Sequence, residues 1–489
     1  MEHVFIWAGA GLVIVSAFVP YWLSYNKRQA AAAHHKKEAQ ELGLDRPRAQ
    51  YPLIDSSLCI GCGSCARACP EGDVLGVVYG TAVVINGERC VGHGCCERVC
   101  PVGALKVGLG DVSLRDDIPV MSEVNETAVP GLFVAGELGG MSLIRNAIDQ
   151  GQMVVAQIAG RLAGLQRSGD SSDVVIVGAG PAGLSAALSA IKHGLSCVVF
   201  DEHEPGGTIL HYPRRKLVMT QPVEIPLYGW LRKDEYSKEE LLEIWQEILR
   251  RFEIPVCTGE RVEAVTRVEA GFEVKTSRKL YQARHVVLAM GRRGTPRKLD
   301  VPGEELAKVV YKLVDAQSYT GCNMLIVGGG DSAVEAAVGL ARQSGNSVTV
   351  SYRKGSFFRV KKKNETAVNQ MIKDGSIRVL FDSQVNAISE GSVLLTTKDG
   401  KLEIPNDYVF VLIGGVPPFA ALRQMGVTFG GQKDASGSPA VGAESLRRAV
   451  RPAQALQKHA APDRAGDPGT AHRSSHAERE TSLPVLTPR

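Results

Sequence analysis

Eight of the 11 cysteines in this sequence of 489 residues fall between Cys59 and Cys100. Cys59 to Pro70 reads CIGCGSCARACP, a C-x2-C-x2-C-x3-C-P run. Thiolates at this spacing wrap a cubane iron–sulfur cluster, and where two such runs occur the fourth cysteine of each ligates the other run's cluster. A zinc site needs two separated cysteine pairs, which this run does not form. The second run, Cys90 to Pro101, reads CVGHGCCERVCP and breaks the pattern: His93 takes the second slot, and Cys95 stands beside Cys96 out of register. Crossed ligation gathers Cys59, Cys62, Cys65 and Cys100 around one [4Fe-4S] cluster. It gathers Cys69, Cys90 and Cys96 around another, with either His93 or Cys95 as fourth ligand. A histidine there raises the potential, as in Rieske centres. The competing reading makes His93 a surface residue and Cys95 a spare thiol, with the second cluster absent or three-iron. Such clustering of cysteines points to a metal cassette in a reducing compartment.

Two glycine loops form the other constellation. Asp173 to Gly183 reads DVVIVGAGPAG, so the apolar run Val174–Val177 feeds Gly178, Gly180, Pro181, Ala182 and Gly183. The first glycine permits the tight strand-to-helix turn, the second lets a pyrophosphate lie against backbone, and the third lets the helix pack on the strand. A second strand, Cys197 to Phe200, ends in Asp201, placed for a ribose hydroxyl. The second loop starts from Leu325–Val327 and runs Gly328, Gly330, Asp331, Ser332, Ala333, a G-x-G-x-x-A fingerprint. Its next strand, Ser347 to Ser351, ends in Tyr352-Arg353-Lys354, with Arg359 shortly after. Basic groups there pair with a 2′-phosphate where an acid would take a free hydroxyl. The first site therefore reads as FAD and the second as NADPH.

These elements, from Asp173 to about Pro417, resemble the thioredoxin reductase-like flavoproteins, and Asp55 to Leu105 resembles a bacterial two-cluster ferredoxin. The flavoprotein resemblance implies flavin contacts from Gly206, Gly207 and Thr208, an adenine contact from the backbone at Val262, and a domain-sealing turn at Gly291. Glu126 to Leu162 resembles the segment that ends the chain in that family, where a strand closes in Gly-Asp beside the flavin and a helix follows. Here the pair is Gly136-Glu137, and the segment precedes the first fingerprint. It either closes its own permuted flavin domain, completes another copy in a homodimer, or is a relic strand–helix pair. The family's redox Cys-x-x-Cys is missing, since Ser318 to Asn323 holds Cys322 alone. The chain is thus more similar to the ferredoxin–NADP reductases and bacillithiol-disulfide reductases on that scaffold.

Val4 to Leu23 is an uncharged apolar run of about the length that crosses a bilayer. Trp7, Tyr21, Trp22 and Tyr25 lie near its ends, and positive charge follows at Lys27, Arg28, Lys36 and Lys37. The expectation is a single-pass anchor in the cell (inner) membrane, with the rest in the cytoplasm and a polar helical spacer after it. A cleaved signal or a buried helix is the alternative. The formal net charge of +4, with no basic patch interleaved with aromatics, gives no case for nucleic acid. The predicted fold class is α/β: two Rossmann-like dinucleotide-binding domains, a small α+β ferredoxin domain and an N-terminal transmembrane helix. Boundaries fall at 1–50 (anchor and linker), 51–110 (ferredoxin-like), 111–168 (closing segment), 169–296 (FAD domain), 297–417 (NAD(P)H domain) and 418–489 (disordered tail).

The function expected from this layout passes electrons from NADPH through FAD to two [4Fe-4S] clusters. From there they reach a redox protein or membrane quinone, and the reverse flow is equally allowed. The alternatives are a thioredoxin reductase-like or low-molecular-weight disulfide reductase, and a non-catalytic membrane redox sensor or electron-transfer subunit. Hydride transfer to flavin needs no side-chain acid or base, so no general catalyst is assigned.

Overall fold

The apolar run before the first fingerprint becomes the strand Ser172–Val177 in the computed structural model, and Pro181–Lys192 becomes its helix. Residues 2–41, 50–109, 115–165, 171–357 and 360–430 are described. Arg359 and the tail from Lys433 lie outside the described residues. Ser172–Val177 is flanked by Cys197–Asp201 and Leu280–Leu288, with Val256–Thr258 beyond the former and Gly271–Thr276 and Val262–Val268 beyond the latter.

The closing segment belongs to this sheet. Leu132–Val134 pairs in parallel with the end of Leu280–Leu288, through Val286↔Leu132, Val287↔Phe133 and Leu288↔Val134. The helix Ile144–Leu162 then lies on Pro181–Lys192 with backbones nearly touching: a Cβ on Gly151 would stand 2.2 Å from the Ala182 carbonyl oxygen. Ser185 Oγ donates to the Ile148 carbonyl at 2.7 Å, and Val154, Val155 and Ile158 share a core with Val174 and Ile176. Within the chain itself, then, a segment that precedes the fingerprint in sequence adds its strand beside Leu280–Leu288, off the main strand order.

The sequence boundary at 417 needs correction. Phe419–Gln424 is a helix, and Leu422, Met425, Val427 and Phe429 are buried with Leu132, Phe272 and Val274 of the first domain. This run is too short for its periodicity to be read, and its apolar residues meet partners remote in sequence. The Val120 N–H donates to the Thr428 carbonyl at 2.9 Å. The run after Pro417 therefore lies beside the residues that precede the Glu126–Leu162 segment.

The second nucleotide half is a five-stranded parallel sheet in the order Val309–Val310, Tyr408–Val411, Asn323–Val327, Ser347–Tyr352, Ile377–Phe381. Helices Asp331–Ala341 and Lys362–Lys373 cover one face, and the antiparallel strands Gln384–Ile388, Ser392–Thr397 and Gly400–Pro405 cover the other. Thr295–Pro296 paired with Gly415–Val416 joins the two halves. The cysteine-rich segment sets Gln50–Ile54 antiparallel to Leu105–Leu109, adds the hairpin Leu75–Val78 with Thr81–Val84, and carries two short helices, Ser64–Ala68 and Cys95–Arg98.

The expected membrane span and spacer form one continuous helix, Glu2–Glu41, with Pro20 inside it. Among the described residues, no helix is long and apolar enough to cross a membrane. The side chains at 2–5, 8–10, 13, 14 and 17 are outside the described set. The far half of the helix meets the cysteine-rich segment, where a Cβ on Gly76 would stand 3.2 Å from Ala32 Cβ.

Candidate functional site

A cleft of about 2210 Å³ collects most of the predicted flavin residues: Gly136, Glu137, Gly178, Gly180, Pro181, Ala182, Asp201, Gly207, Thr208, Val262 and Gly291. The glycines are explained by what surrounds them. A Cβ on Gly178, whose φ is +108°, would lie 2.5 Å from the Ala289 carbonyl oxygen, and one on Gly183 would lie 1.8 Å from the Gly178 carbonyl oxygen. Gly183 thus serves close helix packing and does not line the cleft. Gly206 (φ +134°) backs the loop against Leu210 and Leu242, while a Cβ on Gly207 would come within 2.9 Å of Gly180 Cα. Asp201 closes its strand as predicted; its carboxylate accepts from the Ala179 N–H at 2.7 Å and the His203 N–H at 2.8 Å. It therefore shapes the loop as well as offering an acid. Gly136 has φ +82°, and its N–H donates to Gln150 Oε1 at 2.8 Å. Solvent reaches Glu137 through the cleft, but the surrounding walls raise its carboxyl above the ordinary range, against the pull of Arg292.

The second fingerprint repeats the device, since a Cβ on Gly328 (φ +141°) would stand 2.4 Å from the Leu412 carbonyl oxygen, with buried Ala333 behind it. Asp331 lines the large cleft, whereas Gly328, Gly330, Ser332, Ala333, Arg353 and Lys354 do not. The Asp331 carboxylate accepts from the Lys361 N–H at 2.9 Å and from Asn364 at 2.8 Å. Tyr352 lies against Gly329, where a Cβ would meet its ring at 2.4 Å. Arg353 and Lys354 stand exposed just beyond it, at the end of the strand where a 2′-substituent is read in this fold.

Cys59, Cys62, Cys65 and Cys100 line one small cavity, the set that crossed ligation requires. The remaining cysteines group separately: Cys90 feels the charge of Cys69, Cys96 that of both, and Cys69 that of Cys95. Burial pushes the Cys90 thiol up to about 11 and Cys96 to about 12, so their thiolates need a compensating cation such as cluster iron. Tetrahedral zinc with bonds of about 2.3 Å holds its sulfurs within roughly 4 Å of one another. Among the described residues, no three of these cysteines have sulfurs mutually within 4.8 Å; only the exposed His34, His35 and Glu38 meet that limit. None of the 11 cysteines is joined in a disulfide.

Pro70, Glu71, Val91 and His93 of this segment line the same large cleft as the glycine cradle. The Gln221 side chain donates to the His93 carbonyl at 2.6 Å, tying the segment to the first domain. Buried Arg89 reaches Asp73 at 2.8 Å and Glu365 of the second domain at 3.1 Å. Glu71 is buried, and burial raises its carboxyl while Lys361 opposes the shift.

Residues 175–445 match the family model for pyridine nucleotide-disulphide oxidoreductase, more than half of the chain. The chain belongs to that family. Residues 51–101 match the 4Fe-4S dicluster domain. Thioredoxin reductase of Bacillus subtilis is 31% identical over 269 residues, covering 52% of this chain and 78% of the relative. Bacilliredoxin reductase Bdr of Bacillus subtilis is 28% identical over 52% of this chain and 80% of its own length. Ferredoxin–NADP reductase of Ignicoccus hospitalis is 27% identical over 53% and 83%. The structure of bacillithiol disulfide reductase Bdr from Bacillus cereus, 30% identical, covers 54% of this chain and 83% of that one with a TM-score of 0.49. Membership makes the chain an NAD(P)H-dependent flavin oxidoreductase that also carries an iron–sulfur domain, and sets aside the non-catalytic reading.

Some cleft residues had no sequence signal. Burial, with the Glu137 and Glu335 carboxylates, raises the Tyr212 phenol to about 12. Burial, helped by Arg293 and Lys312, lowers His211 to about 4. Both come from the loop after Gly207, which carries no recognisable spacing.

Proposed function

We propose that the chain carries electrons from NADPH through FAD to two [4Fe-4S] clusters and on to a separate one-electron carrier. The observation behind this is the shared cleft: the flavin cradle, the helix of the second fingerprint and the Pro70–His93 edge of the cluster domain wall one space. Among its described lining residues there is no cysteine. Flavin accepts hydride and releases electrons singly, which is the conversion that a nicotinamide donor and iron–sulfur clusters require between them. Gly178, Gly180 and Gly207 give backbone access to its pyrophosphate, Asp201 offers an acceptor to its ribose, and Gly136-Glu137 closes the opposite wall. Arg353 and Lys354 hold the 2′-phosphate of NADPH. The exit is the cluster of Cys59, Cys62, Cys65 and Cys100, because Cys62 is the exposed member of the set and Leu58, Ile60 and Val102 form an exposed apolar rim.

Disulfide reduction is the weaker reading. Cys322 has no second cysteine near it in sequence, and its thiol donates to the Thr320 carbonyl at 3.2 Å. The decisive variant is Cys62→Ser. NADPH oxidation by an artificial two-electron acceptor should persist, and reduction of an added ferredoxin should fall at least tenfold. Unchanged ferredoxin reduction would refute the route.

The helix Glu2–Glu41 is proposed as a single-pass anchor in the cell membrane, with Lys27, Arg28, Lys36 and Lys37 and the domains on the cytoplasmic side. Exposed Ile6, Trp7, Leu12, Phe18 and Trp22 support this. Resistance of the full chain to alkaline extraction from membranes would bear it out, and release into the wash would contradict it.

A further inference from the structure

The two cysteine runs are related by an internal repeat that extends to side-chain contacts. Gly63 and Gly94 precede the two short helices with φ of 70° and 69°. Gly61 and Gly92 also match, at 65° and 74°. Arg67 donates to the Cys62 carbonyl at 3.1 Å and to Ser64 Oγ at 3.2 Å. Arg98 donates to the His93 carbonyl at 3.4 Å and to Cys95 Sγ at 3.3 Å. Position by position, His93 repeats Cys62, and Cys95 repeats Ser64, a residue that cannot ligate iron as a thiolate. Cys62 Sγ itself donates to Ser64 Oγ at 3.5 Å, so the serine slot stands at the edge of the ligand slot.

His93 is also the residue whose polarity needs an explanation. It is 7% exposed, and its Nε2 is buried with no hydrogen-bond partner. Glu71 Oε1 stands 3.9 Å away, beyond hydrogen-bond range. A buried ring nitrogen left unpaired keeps its desolvation penalty unless something binds it.

From the repeat and the orphaned nitrogen we infer that His93, through Nε2, is the fourth ligand of the cluster held by Cys69, Cys90 and Cys96. Cys95 is a hydrogen-bonding thiol beside that cluster and not a ligand. An imidazole in place of a thiolate leaves the cluster less negative and raises its potential. His93 lines the cleft shared with the flavin cradle, so this is the cluster placed to take electrons first. The assignment rests on the two-cluster reading above.

The test uses the full chain purified anaerobically with both clusters loaded, about eight irons per chain. Pulsed EPR on reduced protein grown with 15N-histidine should show nitrogen coupled to one cluster. His93→Cys should keep the iron content, abolish that coupling and move one midpoint potential down. Cys95→Ser should keep the iron content, the coupling and both potentials. Absence of nitrogen coupling in the eight-iron wild type, or conversion to a three-iron centre in Cys95→Ser, overturns the assignment and leaves the two-cluster reading standing. A wild-type protein with only about four irons overturns the reading and the assignment together.

Discussion

At the scale of single residues, opposing effects of known size decide what a substitution does. Gly151 lies inside a helix, where alanine is ordinarily favoured by up to about 1 kcal/mol. Here the added methyl would stand 2.2 Å from the Ala182 carbonyl oxygen and 3.0 Å from the Ala186 nitrogen, backbone that cannot move aside cheaply. Gly151→Ala should therefore destabilise by about 1–3 kcal/mol and lower flavin content, read by thermal melting and by the ratio of flavin to protein absorbance. Glu126 gives a pH-dependent case. Arg161 holds its carboxylate below the ordinary 4.5, helped by the Gly131 N–H at 2.7 Å. A carboxyl depressed in the folded state adds stability above its unfolded pKa and loses it as pH falls through the folded value. Glu126→Gln should cost roughly 1 kcal/mol at neutral pH, after allowance for the half-exposed guanidinium, and the difference should vanish well below pH 4.5 in acid-melting curves. For the nucleotide, replacing Arg353 and Lys354 together with alanine should raise KM for NADPH about tenfold or more while leaving KM for NADH unchanged, since each lost charge-assisted bond is worth about 1.5–3 kcal/mol.

Elements show where sequence reading succeeds and where it stops. The fingerprints were legible because a strand–glycine–helix unit is local: Gly178 and Gly328 need positive φ, and the chain next to them declares the strand and helix. The two cysteine runs could be read for the same reason, since each lies on one short stretch of chain. The closing segment could be matched but not placed, since its pairing with Val286–Leu288 joins strands far apart in sequence. The helix Phe419–Gln424 was missed because its partners, Phe272 and Val274, lie in the other domain. Tyr212 and His211 were invisible because their setting comes from walls assembled only in the folded chain. That long-range pairing predicts an experiment. Gly430 N donates to the Ile118 carbonyl at 3.4 Å, so residues 118 and 430 already meet. A rearranged chain starting near Ser171 and carrying residues 115–165 after Gly430 should fold and retain FAD. Failure to bind flavin would show that the present order is required for folding.

For the whole molecule the question is how three units act on one electron flow. Arg89 links the cluster segment to the nicotinamide domain through Glu365, while Gln221 links the same segment to the flavin domain through the His93 carbonyl. Glu365→Gln should leave the Arg89–Asp73 pair intact while loosening the contact between units, so flavin reduction by NADPH should persist as electron delivery to the clusters slows. The most direct test of this electron route is anaerobic rapid mixing of the fully loaded protein with NADPH, following flavin absorbance and the EPR signal of reduced clusters together. Flavin bleaching should be followed by cluster reduction that is fast enough to keep pace with turnover. Clusters that stay oxidised while the flavin turns over would contradict it.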